Sequence, residues 1–95
     1  IVLGEGVTLD SGILAGPAGT VSISDETRRI LLLLMENEGH PVPRAAIASI
    51  IGSGACSGRS IDMRIARLRS SLRAAGAIDL ASRLRCRQGC YQFLA

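Results

Sequence analysis

The sequence predicts an α+β domain with an amino-terminal antiparallel sheet, three helices and a closing β-hairpin. Three observations support this prediction: short β-type runs separated by turn residues at the start, helical apolar spacing in the middle, and two strand-like runs around a turn at the end. Because 95 residues are the usual size of one domain, we expect all of these elements to share one small core.

Residues 1–23 contain the predicted sheet. Their β-type runs IVL, VTLD, GILA and TVSI are separated by GEG, SG and GPAG. Turn residues at such short intervals are typical of strands that pair with their neighbours in the sequence. We therefore expect an antiparallel meander.

Residues 24–76 are expected to form three helices. The first begins at Ser24, whose hydroxyl can cap it, and acidic residues follow near the positive end of the helix dipole. Gly39 is its expected stop. The second helix begins near Pro43, which suits a first-turn position, and runs through RAAIASII until GSGACSG breaks it.

The third predicted helix covers RSIDMRIARLRSSLR and ends near Gly76. Its apolar residues recur at spacings of four, three and four, which places them in one stripe: Ile61, Ile65, Leu68 and Leu72. With about 100° between residues, a second set lies opposite the stripe and should be exposed. This set is Arg59, Met63, Ala66, Arg67 and Ser70.

The closing segment, residues 83–95, follows a short linker and is predicted to form a hairpin. Its runs LRCR and CYQFL flank Gln88 and Gly89. Two helices joined by a short turn, the second of them basic, are typical of a helix-turn-helix, and a hairpin directly after them is a wing. The predicted fold is therefore a winged helix-turn-helix.

The net charge of +3 conceals a division between two halves of the chain. Residues 1–43 contain two arginines and six acids, a net charge of −4, whereas residues 44–95 contain nine arginines and two acids, a net charge of +7. A half this basic attracts polyanions, since each phosphate that an arginine neutralises releases condensed counterions. With only Tyr91 and Phe93 aromatic, stacking on single strands is disfavoured and duplex DNA is the expected partner.

Four motifs extend over most of the chain: ISDETRRILLLL, ENEGHPVPR, RSIDMRIARLRSSL and CRQGCYQF. The third is similar to Arg-Ser-Val-Asp-Val-x-Ile-x-x-Leu-Arg-x-Lys-Leu in the winged-helix effector domain of OmpR/PhoB-type response regulators, and the others resemble that family too. Gln88 and Cys90 stand where the family usually has glycines. The resemblance implies a third helix in the major groove, a wing in the adjoining minor groove and a phosphorylatable receiver domain before this one.

The exposed face of the third helix is the predicted base-reading surface. Arg67 lies in its middle, and a guanidinium can donate two hydrogen bonds to guanine O6 and N7. Further base contacts are expected from Arg59, Met63 and Ser70. Phosphate contacts, which position the domain without reading sequence, are predicted for Arg64, Arg69 and Arg73. Ser60, near the helix start, is expected to cap the helix or to contact a phosphate. Arg44 matches a family position close to the DNA backbone and is given the same phosphate role.

The wing is predicted to reach the minor groove through Arg87, which matches the family's arginine, and Arg85, two residues earlier on the same strand face. Asp62 is expected to pair with Arg69 or with a nearby arginine such as Arg59. If residues 87–89 form a three-residue loop, Cys86 and Cys90 face each other across it. A redox-switched wing and a pair of small buried hydrophobes both fit that arrangement, and the second is favoured.

Other functions find little support. The single histidine, His40, has no nucleophile at a suitable spacing, and three cysteines with one histidine in this order do not form a zinc pattern, so we expect no enzyme activity, metal or cofactor. The odd number of cysteines favours a reducing cytoplasm. The longest apolar run, Ile30 to Met35, is far shorter than a bilayer needs.

The sequence therefore predicts specific binding of duplex DNA by a bacterial transcription regulator. We expect a domain cut from a longer protein, monomeric alone and paired on DNA or through a receiver domain. The resemblance implies that the predicted loop at GSGACSG is a contact site for RNA polymerase. The alternative is a winged-helix module that binds RNA polymerase or a signalling protein, with its arginines facing acidic side chains. A single positive surface shared by the third helix and the wing would favour DNA.

Overall fold

The amino-terminal sheet has four strands, each antiparallel to the next. The computed structural model describes residues 2–4, 6–51 and 58–94. The strands are β1 (Val2–Gly4), β2 (Val7–Asp10), β3 (Ile13–Gly16) and β4 (Gly19–Ser22), in the order β1-β2-β3-β4. Leu9 pairs with Leu14, and both are buried, so one face of this sheet covers the core. The predicted meander is confirmed.

The first helix, α1 (Asp25–Glu36), begins as the sequence predicts. The Ser24 hydroxyl accepts a hydrogen bond from the backbone N–H of Thr27 at 3.2 Å. The helix ends earlier than Gly39, because Asn37 caps it by donating its side-chain amide to the carbonyl of Leu33 at 2.8 Å. Gly39 follows with a φ of +84°, which turns the chain toward the next element.

A two-residue strand, β5 (Val42–Pro43), leads directly into α2 (Arg44–Ile51). The next helix, α3 (Gly58–Ala74), confirms the predicted apolar stripe, since Ile61, Ile65, Leu68 and Leu72 are at most 1% exposed. Because α3 begins at Gly58, Ser60 lies inside its first turn, and the prediction that Ser60 caps the helix is wrong. The proposed polymerase-contacting loop, residues 52–57, lies outside the described residues.

The predicted linker after α3 contains a fourth helix, α4 (Ile78–Arg83). Its Leu80 and Ala81 are buried, and it packs against α3 and against the last two strands. Six residues are too short for a stable isolated helix and for a clear apolar period. Packing therefore determines this helix, which explains why its sequence pattern does not reveal it.

The carboxy-terminal sheet consists of β5, β6 (Leu84–Arg87) and β7 (Cys90–Phe93), in the order β5-β7-β6. The predicted hairpin is confirmed, and β5 adds a third strand to it. Arg87 pairs with Cys90, so the turn has two residues, Gln88 and Gly89, with φ values of +53° and +79°. Positive φ at both central residues is what a type I′ turn requires.

This turn corrects the prediction for the two cysteines. Cys86 pairs with Tyr91, whereas Cys90 pairs with Arg87, so their side chains point to opposite faces of the hairpin. Both thiols are free, Cys86 is exposed and Cys90 is half-buried. The turn at Gln88 and Gly89 agrees with the predicted flanking runs, so the condition of a three-residue loop is not met, and neither a facing pair nor a pair of buried hydrophobes is present.

Candidate nucleic-acid interface

The outward face of α3 is open to solvent along its length. Arg59, Met63, Ala66, Arg67 and Ser70 are all exposed, as their positions opposite the buried stripe predict. Met63, a large apolar side chain, is 52% exposed. Within the described residues, Arg59 and Arg67 form no hydrogen bond or ion pair. Their guanidinium groups are available to a partner.

Arg67 and Ser70 also border a groove between α3 and the junction of β4 with α1. The opposite wall contributes the hydroxyls of Ser22 and Ser24. These serines lie far before α3 in the sequence, so the spacing within α3 gives no sign of them. The groove places small polar groups beside the predicted base-reading arginine.

Two arginines of α3 that are predicted phosphate contacts have partners inside the domain. Arg64 donates to Glu26 at 2.8 Å, and this contact joins α3 to α1. Arg64 also donates to the hydroxyl of Ser60 within α3. Arg69 donates to the carbonyl of Leu84 at 2.9 Å, which joins α3 to β6. Arg73, in the last turn of α3, is exposed and forms no ion pair or hydrogen bond with any residue the structure describes.

Asp62 pairs with an arginine, as predicted, but the partner is Arg44 and neither Arg69 nor Arg59. Its Oδ1 accepts hydrogen bonds from Arg44 Nε at 3.0 Å, from Arg44 Nη2 at 2.8 Å and from the Tyr91 hydroxyl. The Tyr91 hydroxyl and then Arg44 stabilise the charged carboxylate, which holds the pKa of Asp62 below its usual range. Burial, followed by the nearby Asp62 carboxylate, raises the pKa of Tyr91. Arg44 is thus engaged by an acid inside the fold.

The wing presents its arginines on one exposed face. Arg85 and Arg87 lie on the face of β6 opposite to the buried Leu84, and Arg85 pairs with Gln92 across the hairpin. Neither arginine has a hydrogen-bond or ion-pair partner in the described part of the chain. Arg85 also borders a groove between α3 and β6, together with Arg69 and Arg73. None of the described residues that line this groove is acidic.

Other kinds of site find no support in the described residues. Among them, no three His, Cys, Asp or Glu side chains gather where a metal ion could bind. Within the same residues, none of the helices has the length and apolar character needed to cross a bilayer. The arginines of α3 and β6 therefore form the most distinctive chemical feature of this surface.

Comparisons with known proteins identify relatives of the chain. The family model described as "Transcriptional regulatory protein, C terminal" matches residues 18–85. Among solved structures, the C-terminal domain of the nisin resistance regulator NsrR, a lantibiotic response regulator, superposes with a TM-score of 0.74 at 18% identity, over 99% of this chain and 98% of that one. A search of curated proteins returns no match. The structural similarity confirms the winged helix-turn-helix fold.

Proposed function

The chain belongs to the family of transcriptional regulatory protein C-terminal domains, the OmpR/PhoB-type effector domains that its motifs resemble, and we propose that it reads a specific duplex sequence through α3 and the wing. The family is one of DNA-binding transcription regulators and not a class of enzymes. We further propose which surfaces of the domain lie in the two DNA grooves and which side chains contact the bases.

The groove between α3 and β6 is the observation that carries this proposal. With α3 in the major groove and the wing in the adjoining minor groove, the DNA backbone that divides the two grooves must cross the junction between them. Arg69, Arg73 and Arg85 line this junction without an acid among its described lining residues. A surface for acidic protein partners needs no such alignment with two DNA grooves, so duplex DNA is the better match.

Base reading is assigned to the outward face of α3. The B-DNA major groove is about 12 Å wide and accepts a helix. Arg67, exposed and without a partner in the described chain, is the side chain proposed to donate two hydrogen bonds to a guanine. Met63 offers an apolar contact to a thymine methyl, and Arg59 and Ser70 offer hydrogen bonds on either side.

The wing is proposed to read the shape of the minor groove. Arg87 stands next to the turn and is exposed, with Arg85 on the same face of β6. An arginine in a narrow minor groove responds to its enhanced negative potential, so this contact favours A·T-rich sequence without a hydrogen-bond code. The direct base contacts of α3 and the shape preference of the wing together define one half-site.

The wider assembly follows from the family. We propose a domain that is monomeric alone and pairs on DNA or through a receiver domain, in the cytoplasm of a bacterium. The RNA polymerase contact proposed for the segment GSGACSG is tested by substitution at residues 52–57, which lie outside the described residues. A protein-binding role would predict polymerase binding without duplex binding.

Fluorescence anisotropy with DNA tests the central proposal. A duplex that the chain selects from a random-sequence pool is titrated at several salt concentrations, beside a scrambled duplex of equal length. Several phosphate contacts predict a steep negative slope of log affinity against log salt, about −0.9 per neutralised phosphate. Equal affinity for both duplexes would contradict sequence-specific binding. A flat slope would contradict the proposal that the domain binds DNA.

A further inference from the structure

Three elements meet at one carboxylate oxygen beside the wing, and a fourth approaches it through Arg44. Oδ1 of Asp62, in α3, accepts from two nitrogens of Arg44, at the start of α2, and from the hydroxyl of Tyr91, in β7. Nη2 of Arg44 lies 3.7 Å from the sulfur of Cys86, in β6. We call Arg44, Asp62 and Tyr91 the wing clamp.

Arg44 also holds the tip of the wing. Its backbone N–H donates to the carbonyl of Gly89 at 3.3 Å, and its guanidinium carbon lies 5.4 Å from the centre of the Tyr91 ring. Gly89 is the second residue of the wing turn, two positions after Arg87. Arg44 therefore contacts both the turn and the Tyr91 ring, next to the strand that carries the proposed minor-groove arginine.

The base of the wing is fixed by other contacts. β5 pairs with β7 through Val42 and Tyr91 and through Pro43 and Cys90, and Arg69 of α3 donates to the carbonyl of Leu84 at the start of β6. These contacts hold the backbone of β7 and the start of β6. The side chains of the wing clamp add a connection between the first half of α3 and the turn.

Stability alone is a weak explanation for the wing clamp. The side chains of Arg44 and Asp62 are 31% and 46% exposed, and ion pairs this exposed contribute little to folding. A carboxylate on a helix that faces phosphates also repels them. An acid at this position is therefore better explained by what it does for the geometry of the bound state.

We propose that Asp62 is a positioning residue: through Arg44 and Tyr91 it fixes the wing tip against α3, so that Arg87 meets the minor groove when α3 lies in the major groove. The inference rests on the proposed function, since it requires the wing to touch DNA. Arg44 is then a link between α2, α3 and the wing turn, and its charge is neutralised by Asp62 instead of by a phosphate.

The sign of the effect of Asp62→Asn separates this proposal from simple electrostatics. The substitution removes a negative charge, so charge alone predicts tighter binding of DNA. If Asp62 positions the wing, binding instead weakens about tenfold, as expected for a lost hydrogen-bonded charge pair. The probe is the duplex that the wild-type chain selects from a random pool, followed by anisotropy at fixed salt, with folding checked by circular dichroism.

Asp25→Asn is the matched control. Asp25 is also an exposed aspartate paired with arginines, Arg28 at 2.6 Å and Arg29 at 2.9 Å, but it lies in α1 and has no contact with the wing. It changes the net charge by the same amount and should leave affinity unchanged or slightly higher. If folded Asp62→Asn binds as tightly as Asp25→Asn, the positioning role is overturned.

A double-mutant cycle tests whether the wing clamp acts through Arg87. Arg87→Ala should weaken binding about tenfold in the wild-type chain and less than about threefold in a Tyr91→Phe background, because the wing is already displaced there. Tyr91→Phe keeps the ring in the core, so this arm stands even if Asp62→Asn unfolds. Additive effects would overturn the inference and leave the proposed function intact. No effect of Arg87→Ala in the wild-type chain would overturn both.

Discussion

The two faces of α3 differ in how their residues are determined. On the inner face, four apolar side chains are at most 1% exposed, and their spacing in the sequence is sufficient to place them. On the outer face and its flanks, the same rule predicts exposure but says nothing about partners. There, Arg64 and Arg69 are held by neighbouring elements, whereas Arg67 is not held by any described residue. Helical periodicity thus determines which way a side chain of α3 points, whereas the tertiary structure determines whether that side chain already has a partner.

The same distinction divides the arginines of the whole domain. One group has carboxylate or carbonyl partners: Arg28, Arg29, Arg44, Arg64, Arg69 and Arg83. The other group has no hydrogen-bond or ion-pair partner among the described residues: Arg59, Arg67, Arg73, Arg85 and Arg87. Every member of the second group lies on α3 or β6. The uncompensated positive charge is therefore concentrated on the two elements proposed to meet DNA.

The largest expected effect comes from breaking the inner face. Leu68 is fully buried, so Leu68→Ala leaves a cavity and should lower the free energy of unfolding by about 2–5 kcal/mol, enough to unfold a domain this small. Urea denaturation followed by circular dichroism measures it. Met63→Ala, on the outer face, is the control and should change stability by less than about 0.5 kcal/mol. Similar losses from both would contradict the division into faces.

The same contrast defines how far the sequence predicts this fold. The apolar stripe of α3, the Ser24 cap and the wing hairpin depend on residues within a few positions of one another, and all three are present. The helix α4 depends on packing of a segment too short to show a period. The partner of Asp62 lies 18 residues away in Arg44, a distance over which spacing rules give no guidance.

The wing turn shows how one residue of loop length changes which side chains face each other. A three-residue loop places Cys86 opposite Cys90, whereas the observed two-residue turn places Arg87 there and sends the cysteines to opposite faces. Gln88, where the family usually has glycine, adopts a left-handed φ of +53°. Cys90, at the other unusual position, has no positive φ and is an ordinary strand residue. Only the first of the two glycines is replaced at a conformational cost.

On the outer face, Arg67→Ala should have the largest effect on binding. Loss of two hydrogen bonds to a base edge should cost about 1–3 kcal/mol on the selected duplex and relax discrimination at one base pair. Anisotropy against duplexes substituted at each position measures both. Arg67→Lys keeps the charge without the paired donors, so it should retain general affinity and lose the discrimination. Unchanged base preference in folded Arg67→Ala would contradict the major-groove assignment of α3.

Substituting one arginine without a partner among the described residues and one arginine in an ion pair tests the division of the arginines into two groups. Arg73→Ala should weaken binding to all duplexes alike and reduce the salt slope by about one unit, because a phosphate contact is lost. Arg64 donates to Glu26, so the charge-neutral double variant Arg64→Ala/Glu26→Gln should leave the slope almost unchanged. Salt titrations of the two variants measure this difference. Equal reductions would show that Arg64 leaves Glu26 for a phosphate when DNA binds.

The smallest expected effect concerns Asp62, the acid on the outer side of α3 that turns to the wing. The Tyr91 hydroxyl, and then Arg44, hold its pKa in the folded domain below the usual value of 3.8. The unfolded chain therefore takes up this proton more readily in acid, so the stabilisation is complete above that value and is lost as the pH falls through the folded pKa.

Urea unfolding of the wild-type chain and of Asp62→Asn, measured from neutral to acid pH, should give a difference that is largest at neutral pH and shrinks below about pH 4. Taking the difference cancels the titration of other acids, including Asp25, whose pKa is also lowered, first by the hydrogen bond from Arg28. A difference that stays constant or grows in acid would mean that the carboxylate is not held in its charged form by Tyr91 and Arg44, and that the outer side of α3 carries an unpaired acid.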